Sequence, residues 1–114
     1  MKGIASSWLL AVVAAAATVP LAHAQSKDEK DRRVMIINDR SSDMLRLYGS
    51  RTSTSEWEEN IIVVPIKKGT KRVINFDDGS GACFFDFRAV FKDNLTVHKW
   101  SINVCREDSW RVAD

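Results

Sequence analysis

Few side chains in this chain can do covalent chemistry, and their spacing narrows the options. The chain holds two cysteines, Cys83 and Cys105, and two histidines, His23 and His98. A Cys–His nucleophile can be drawn on paper, but an exported chain has a better use for two cysteines, as one disulfide. No Gly-x-Ser-x-Gly elbow is present for a serine hydrolase. His98 has no histidine or free-cysteine companion at zinc-ligand spacing, so it reads as a strand-surface residue. The acidic loop Asp77-Asp78-Gly79-Ser80-Gly81 offers oxygens to calcium, which takes roughly six to eight of them. It lacks the spaced third and fourth carboxylates of a full calcium loop, and Asp-Gly is also ordinary turn chemistry. No catalytic set, metal site or cofactor is assigned on these grounds. A small periplasmic hydrolase and a calcium-dependent domain using the 77–81 loop stay as alternatives to a binding role.

The remaining polar clusters suit contact rather than catalysis. Asp86 and Arg88 stand two apart on one strand, hence on one face, either as a recognition pair or as a surface ion pair of little energetic weight. Glu56, Glu58 and Glu59 flank Trp57; with Ser55 ahead of them they read as the capped start of a single helical turn. Lys67, Lys68, Lys71 and Arg72 surround a turn without interleaved aromatics, which reads as a solvated turn and not as a single-strand nucleic-acid site.

Compartment follows from the first residues. Lys2, an apolar run from Ile4 to Val19, Pro20 and then Ala22-His23-Ala24 form a secretory signal over 1–24, cleaved before Gln25. The run is short for a span of about 20 residues, so no membrane span is expected after cleavage. Removing 24 of 114 residues leaves 90, and Lys2 is the one charge lost. The rest carries 16 basic and 15 acidic residues, a balance that argues against nucleic acid as a main partner. With 45% hydrophobic and 28% charged residues, the composition fits one globular domain. A domain this small buries a limited core and gains from a covalent staple, which Cys83 and Cys105 supply in an oxidising compartment.

The elements that must position these residues are short strands. Residues 25–33 (QSKDEKDRR) are charged and aperiodic, a flexible leader. Val34–Asn38 and Met44–Tyr48 read as strands around an Asn/Asp/Ser turn, and Gly49–Ser55 reads as a polar loop. Asn60–Ile66 is apolar but carries Pro65, which breaks or edges a strand. Lys71–Phe76 is a further strand, and the tail sets Trp110 and Val112 at strand spacing. The longest feature is a hairpin. Cys83, Phe85, Phe87, Ala89 and Phe91 alternate with Asp86 and Arg88, giving one dry face. A two-residue turn at Asp93-Asn94 sets Phe87 opposite Trp100, Phe85 opposite Ile102, Cys83 opposite Val104 and Arg88 opposite Lys99. Together these predict an all-β fold, a small antiparallel β-sandwich of about six or seven strands over 34–114.

The motifs V-x-I-x-N (Val34–Asn38), L-x-L-Y (Leu45–Tyr48), DDGSGACFFDFRAVF (Asp77–Phe91) and INVC (Ile102–Cys105) resemble those of small exported bacterial β-domain proteins of uncharacterised function. Asp77, Asp78, Gly79, Gly81, Cys83, Asp86, Arg88 and Cys105 match that pattern over most of the chain beyond residue 24. The resemblance implies a secreted β-domain and brings no activity with it.

The function expected is therefore an exported, non-enzymatic binding or inhibitor module, periplasmic or secreted, acting on an envelope protein or glycan. Trp57, in its polar loop, and Trp110 are the expected anchors, because tryptophan is enriched where contact energy concentrates; the alternative for either is a lid over the end of the core. Asp86 and Arg88 are the expected polar contacts.

Overall fold

Side chains alternate in facing along an extended chain, so a run with every second residue apolar buries one face and wets the other. The computed structural model, which describes residues 25–114, has six strands, and the alternation is clearest in the first, fourth and sixth. The six are β1 (Arg33–Asp39), β2 (Met44–Arg51), β3 (Lys71–Asn75), β4 (Phe84–Phe91), β5 (Thr96–Asn103) and β6 (Ser109–Ala113). The expected signal over 1–24 lies outside the described residues. No helix among the described residues is long and apolar enough to cross a membrane.

The strands make two three-stranded sheets, β3–β1–β6 and β2–β4–β5. The second is antiparallel throughout. The first is mixed, because β6 runs parallel to β1 while β3 runs antiparallel to it. The departure from a purely antiparallel arrangement arises where the chain leaves β5 and crosses to the other sheet. There the edge of β1 not taken by β3 accepts it.

The buried faces meet in one core of Val34, Ile36, Leu47, Phe85, Phe87 and Trp110 with their neighbours. Phe76 stacks on Phe87 at 4.4 Å between centroids, and Trp110 meets Phe87 from the opposite sheet at 5.5 Å. Gly49 makes this stack possible, since a Cβ there would stand 2.5 Å from the Phe76 ring.

One expected element, the helical turn after Ser55, is absent among the described residues, while Pro65 breaks the 60–66 run as its ring implies. The apolar segment 60–66 contributes one isolated bridge, Met44 to Ile66, and no strand. Pro65 has no N–H for a ladder, and the Asn60 side chain takes the place of a strand backbone by accepting the Leu47 N–H at 2.9 Å. Residues 55–59 form no helical turn; the Glu58 N–H instead donates to Ser50 Oγ at 3.0 Å.

The hairpin closes through three residues and not two. Phe91 and Leu95 are the closing pair, joined by the Phe91 N–H to Leu95 carbonyl bond at 2.9 Å, and Asn94 takes the left-handed conformation at φ 72. The pairing is therefore Arg88 with His98 and Phe87 with Lys99, one position off the two-residue-turn register. Beyond an irregularity between Phe85 and Phe87, Phe85 faces Ile102 as the apolar pattern requires. The extra residue lies on β5, where Ser101 adopts φ 57, so β5 bulges at that point.

At the open end Cys83 and Cys105 are bonded, with Cα atoms 5.3 Å apart. The 25–33 segment is drawn onto this end although its composition predicts a free leader. Arg32 is 2% exposed and donates to the Ala82 and Gly81 carbonyls at 2.8 and 3.0 Å. Its guanidinium also grips Asp28 with two bonds of 2.7 and 2.9 Å. Ser26 caps the same corner through the Asp77 carboxylate.

Candidate functional site

The solvent face of the β2–β4–β5 sheet carries an aromatic cluster built by strand register. Tyr48 on β2 pairs with Arg88 on β4, and Arg88 pairs with His98 on β5, so three side chains form one row across the sheet. Trp100, two residues after His98 and ahead of the bulge, lies on this same face, 61% exposed, with its ring stacked on His98 at 4.8 Å and 5°. Trp100 is thus not the core partner of Phe87 that the two-residue turn implies.

Trp57 reaches the cluster from the loop that follows β2. Its ring lies 6.4 Å from Tyr48, 5.9 Å from His98 and 6.0 Å from Trp100, so it is the hub of the group. The loop is fixed at both ends. Thr54 bonds back to the Arg51 carbonyl, and Glu58 and Asn60 tie down its return to β2. Trp57 is half-buried and held in place, which limits the entropy it loses on contact.

Arg88 lies under this cluster. Its guanidinium carbon stands 5.5 Å from the Tyr48 ring and 5.9 Å from the Trp57 ring, within cation–π range. It makes no ion pair with Asp86 or with any other carboxylate among the described residues. Its Nε is shut off from solvent without a hydrogen-bond acceptor. Two other arginine Nε atoms are buried in the same way, but Arg51 Nε has Asp78 at 3.3 Å and Arg40 Nε has Asp114 at 3.1 Å. Arg88 alone of the three lacks an anion.

Asp86 has a different task from the one its spacing suggests. Its Oδ1 accepts the Ser101 N–H at 2.8 Å and so satisfies the residue that the bulge leaves out of the ladder. Beside it a hollow of about 250 Å³ opens between Trp57 and Trp100, floored by Ser50 and Asp86 and rimmed by Thr54, Ser55 and Glu56. Polar and apolar surface are about equal in its lining, which suits a ligand that carries both hydroxyl and C–H faces.

The other expected contact residue is elsewhere. Trp110 is 9% exposed and packs in the core, which removes it as a surface anchor. Of the four contact residues expected from sequence, the structure brings Trp57, Asp86 and Arg88 to one face and sends Trp110 inward. Tyr48, His98 and Trp100 complete the cluster and were not legible as contact residues. A signal for Trp100 was present in the sequence. Val97 and Ile102 are both apolar but five apart, an odd separation that an unbroken strand cannot place on one face.

The acidic loop is spent on holding the fold. Asp77 accepts from the Ser26 N–H, the Ser26 hydroxyl and the Gly79 N–H, with Arg32 3.9 Å away. Burial pushes the Asp77 carboxyl up, and the Ser26 and Gly79 donors with Arg32 outweigh it to leave the group below its usual value. Asp78 binds Ser80 and pairs with Arg51. A calcium ion there would have to displace both arginines. No three His, Cys, Asp or Glu side chains converge into a ligand set among the described residues. In the basic turn, Arg72 donates to the Val64 and Pro65 carbonyls, which fastens the 62–66 segment to β3.

Comparison of the chain with family models, curated proteins and solved structures gives no match. The functional reading of this face rests on its own geometry.

Proposed function

We propose that the chain is an exported, non-enzymatic β-sandwich binding module that holds a protein or glycan partner of the cell envelope on its aromatic sheet face. The observation that carries this reading is the cluster itself. Trp57, Tyr48, His98 and Trp100 gather on the outside of the sheet, around an arginine without an anion. Aromatic side chains normally close inward, and a pinned indole beside a free guanidinium is the composition of contact hot spots. A rigid two-sheet scaffold presents that surface without reorganisation.

Export to the periplasm or beyond is supported by the signal pattern over 1–24, by the resemblance to exported bacterial β-domains and by the Cys83–Cys105 bond, which needs an oxidising compartment. A hydrolytic role lacks an assembled set of groups. Both thiols are consumed in the disulfide, and His98 is stacked on Trp100 with no nucleophile in hydrogen-bond reach among the described residues.

The test is capture from envelope extract by immobilised mature protein. Wild type retains a partner, while Trp57→Ala and Trp100→Ala, each checked for retained β-structure by circular dichroism, lose it. Undiminished capture by both folded variants overturns the assignment of this face.

A further inference from the structure

We infer that the aromatic face is a site for a carboxylated saccharide, with the sugar ring lying on Trp100 and its carboxylate held by Arg88. The inference rests on the reading of this face as the contact surface and names the class of ligand it selects.

Three observations converge on that chemistry. The first is the free cation. Arg88 has no carboxylate partner and no hydrogen-bonded nitrogen among the described residues. Only its Nε is sealed from solvent, so the two Nη atoms stay within reach of a ligand. A guanidinium fork presents two parallel N–H donors that match the two oxygens of a carboxylate. The Tyr48 and Trp57 rings already contact Arg88, and the charge of that guanidinium disfavours a cationic ligand beside it.

The second is the platform. Trp100 and His98 are parallel within 5° and stacked at 4.8 Å, so His98 backs one face of an indole that is 61% exposed. The backed indole offers a flat, electron-rich plate. The C–H groups on one face of a pyranose carry partial positive charge and lie well on such a plate.

The third is the rim. The hollow beside the plate is lined by Trp57 and Trp100, by Ser50, Thr54 and Ser55, and by Arg51 with Asp86 and Glu56. Of the Asp86 oxygens only Oδ1 is engaged, by Ser101. Hydroxyls and carboxylates beside two indoles suit a polyhydroxylated ring, which has polar edges and an apolar C–H face. Arg88 does not line the hollow, so hydroxyls in the hollow and an acid on Arg88 engage the face at separate places.

The experiment titrates mature protein with hexamers of galacturonic and mannuronic acid, a hyaluronan hexasaccharide and the N-acetylglucosamine–N-acetylmuramic acid disaccharide. Each is used as the free acid and as its methyl ester, by calorimetry and tryptophan fluorescence in one buffer of physiological ionic strength. Esterification keeps the sugar and removes the charge. At least one free acid should bind about tenfold or more tightly than its ester, the loss expected for one charge-assisted bidentate pair. Arg88→Gln should erase the difference between acid and ester, and Trp100→Ala should abolish binding of both forms. If no saccharide in the panel binds more tightly as the acid than as the ester, the inference is overturned. It is equally overturned if folded Arg88→Gln keeps the preference. Envelope capture that depends on Trp57 and Trp100 without any acid preference would leave the face as a contact surface and transfer it to a protein partner. Capture indifferent to both residues would remove the face itself.

Discussion

Replacing Asp86 by alanine should unlock the bulge on which Trp100 stands. The residue that a bulge adds has a backbone N–H with no strand partner, and at Ser101 that N–H donates to Asp86 Oδ1 at 2.8 Å. Ser101 also holds φ 57, a region that costs a non-glycine residue about 1–2 kcal/mol, so the bulge needs an offsetting contact. A hydrogen bond to a charged group contributes about 1.5–3 kcal/mol, and the half-buried setting of Asp86 places it at the lower end, near 1.5. For a domain of this size each 1 kcal/mol shifts the thermal midpoint by roughly 4–8 °C, so Asp86→Ala should melt about 6–12 °C lower. Asp86→Asn keeps an acceptor oxygen and should recover part of the loss. The assay is thermal unfolding of the oxidised protein followed by circular dichroism, with partner capture measured in parallel. Capture should fall in Asp86→Ala, because the His98–Trp100 plate is carried by the segment the bulge orients. A melt of Asp86→Ala indistinguishable from wild type would refute this reasoning, as would Asp86→Asn being equally unstable.

Three further outcomes follow from particular contacts. Cys83→Ser with Cys105→Ser opens a loop of sequence separation 22, which should cost about 3 kcal/mol in urea unfolding from chain entropy; equal midpoints for oxidised wild type and the double variant would count against it. Ser101→Gly relieves the left-handed backbone strain at φ 57 and should raise stability by about 1 kcal/mol, whereas Ser101→Val should lower it. Acid should loosen the corner where the 25–33 segment docks. Asp28 is held low by the Arg32 guanidinium and then by the Lys30 N–H, and Asp77 is also lowered. Carboxyls whose folded values are depressed stabilise fully above the unfolded aspartate value of about 3.9, and that stability is lost as pH falls through the folded values. Unfolding midpoints should therefore be level near neutrality and drop below about pH 4, with a shallower drop in Asp77→Asn. A slope unchanged by Asp77→Asn would exclude this corner as the acid-sensitive element.

Much of the fold was readable because it depends on short-range alternation. The pattern from Phe84 to Phe91 buries Phe85, Phe87, Ala89 and Phe91 in turn, and the disulfide followed from two cysteines at the open end of one hairpin. What escaped was set by single residues with unusual backbone or by distant partners. Asn94 lengthens the turn and Ser101 restores the register, so the two errors cancel at Phe85 and leave Trp100 on the outside. Arg32 looks like a solvated charge in the sequence, and its burial appears only when the Gly81 and Ala82 carbonyls come near. Trp110 has the spacing of a strand residue, and only the crossing of β6 to the other sheet decides which face it takes. Trp57 was legible as a candidate contact residue because a large aromatic stood alone in a polar loop, and the structure places it in the aromatic cluster. Its companions lie on two other strands, and nothing short of the register brings them together.

The contact face can be tested directly through the indole N–H resonances. Beyond residue 24 the chain has three tryptophans, Trp57, Trp100 and Trp110, each with its own signal in the proton–nitrogen spectrum of the mature protein. Addition of the partner captured from envelope extract should shift or broaden Trp57 and Trp100 while Trp110, 9% exposed in the core, stays in place. Saturated binding that leaves Trp57 and Trp100 unmoved would contradict the assignment of the aromatic face.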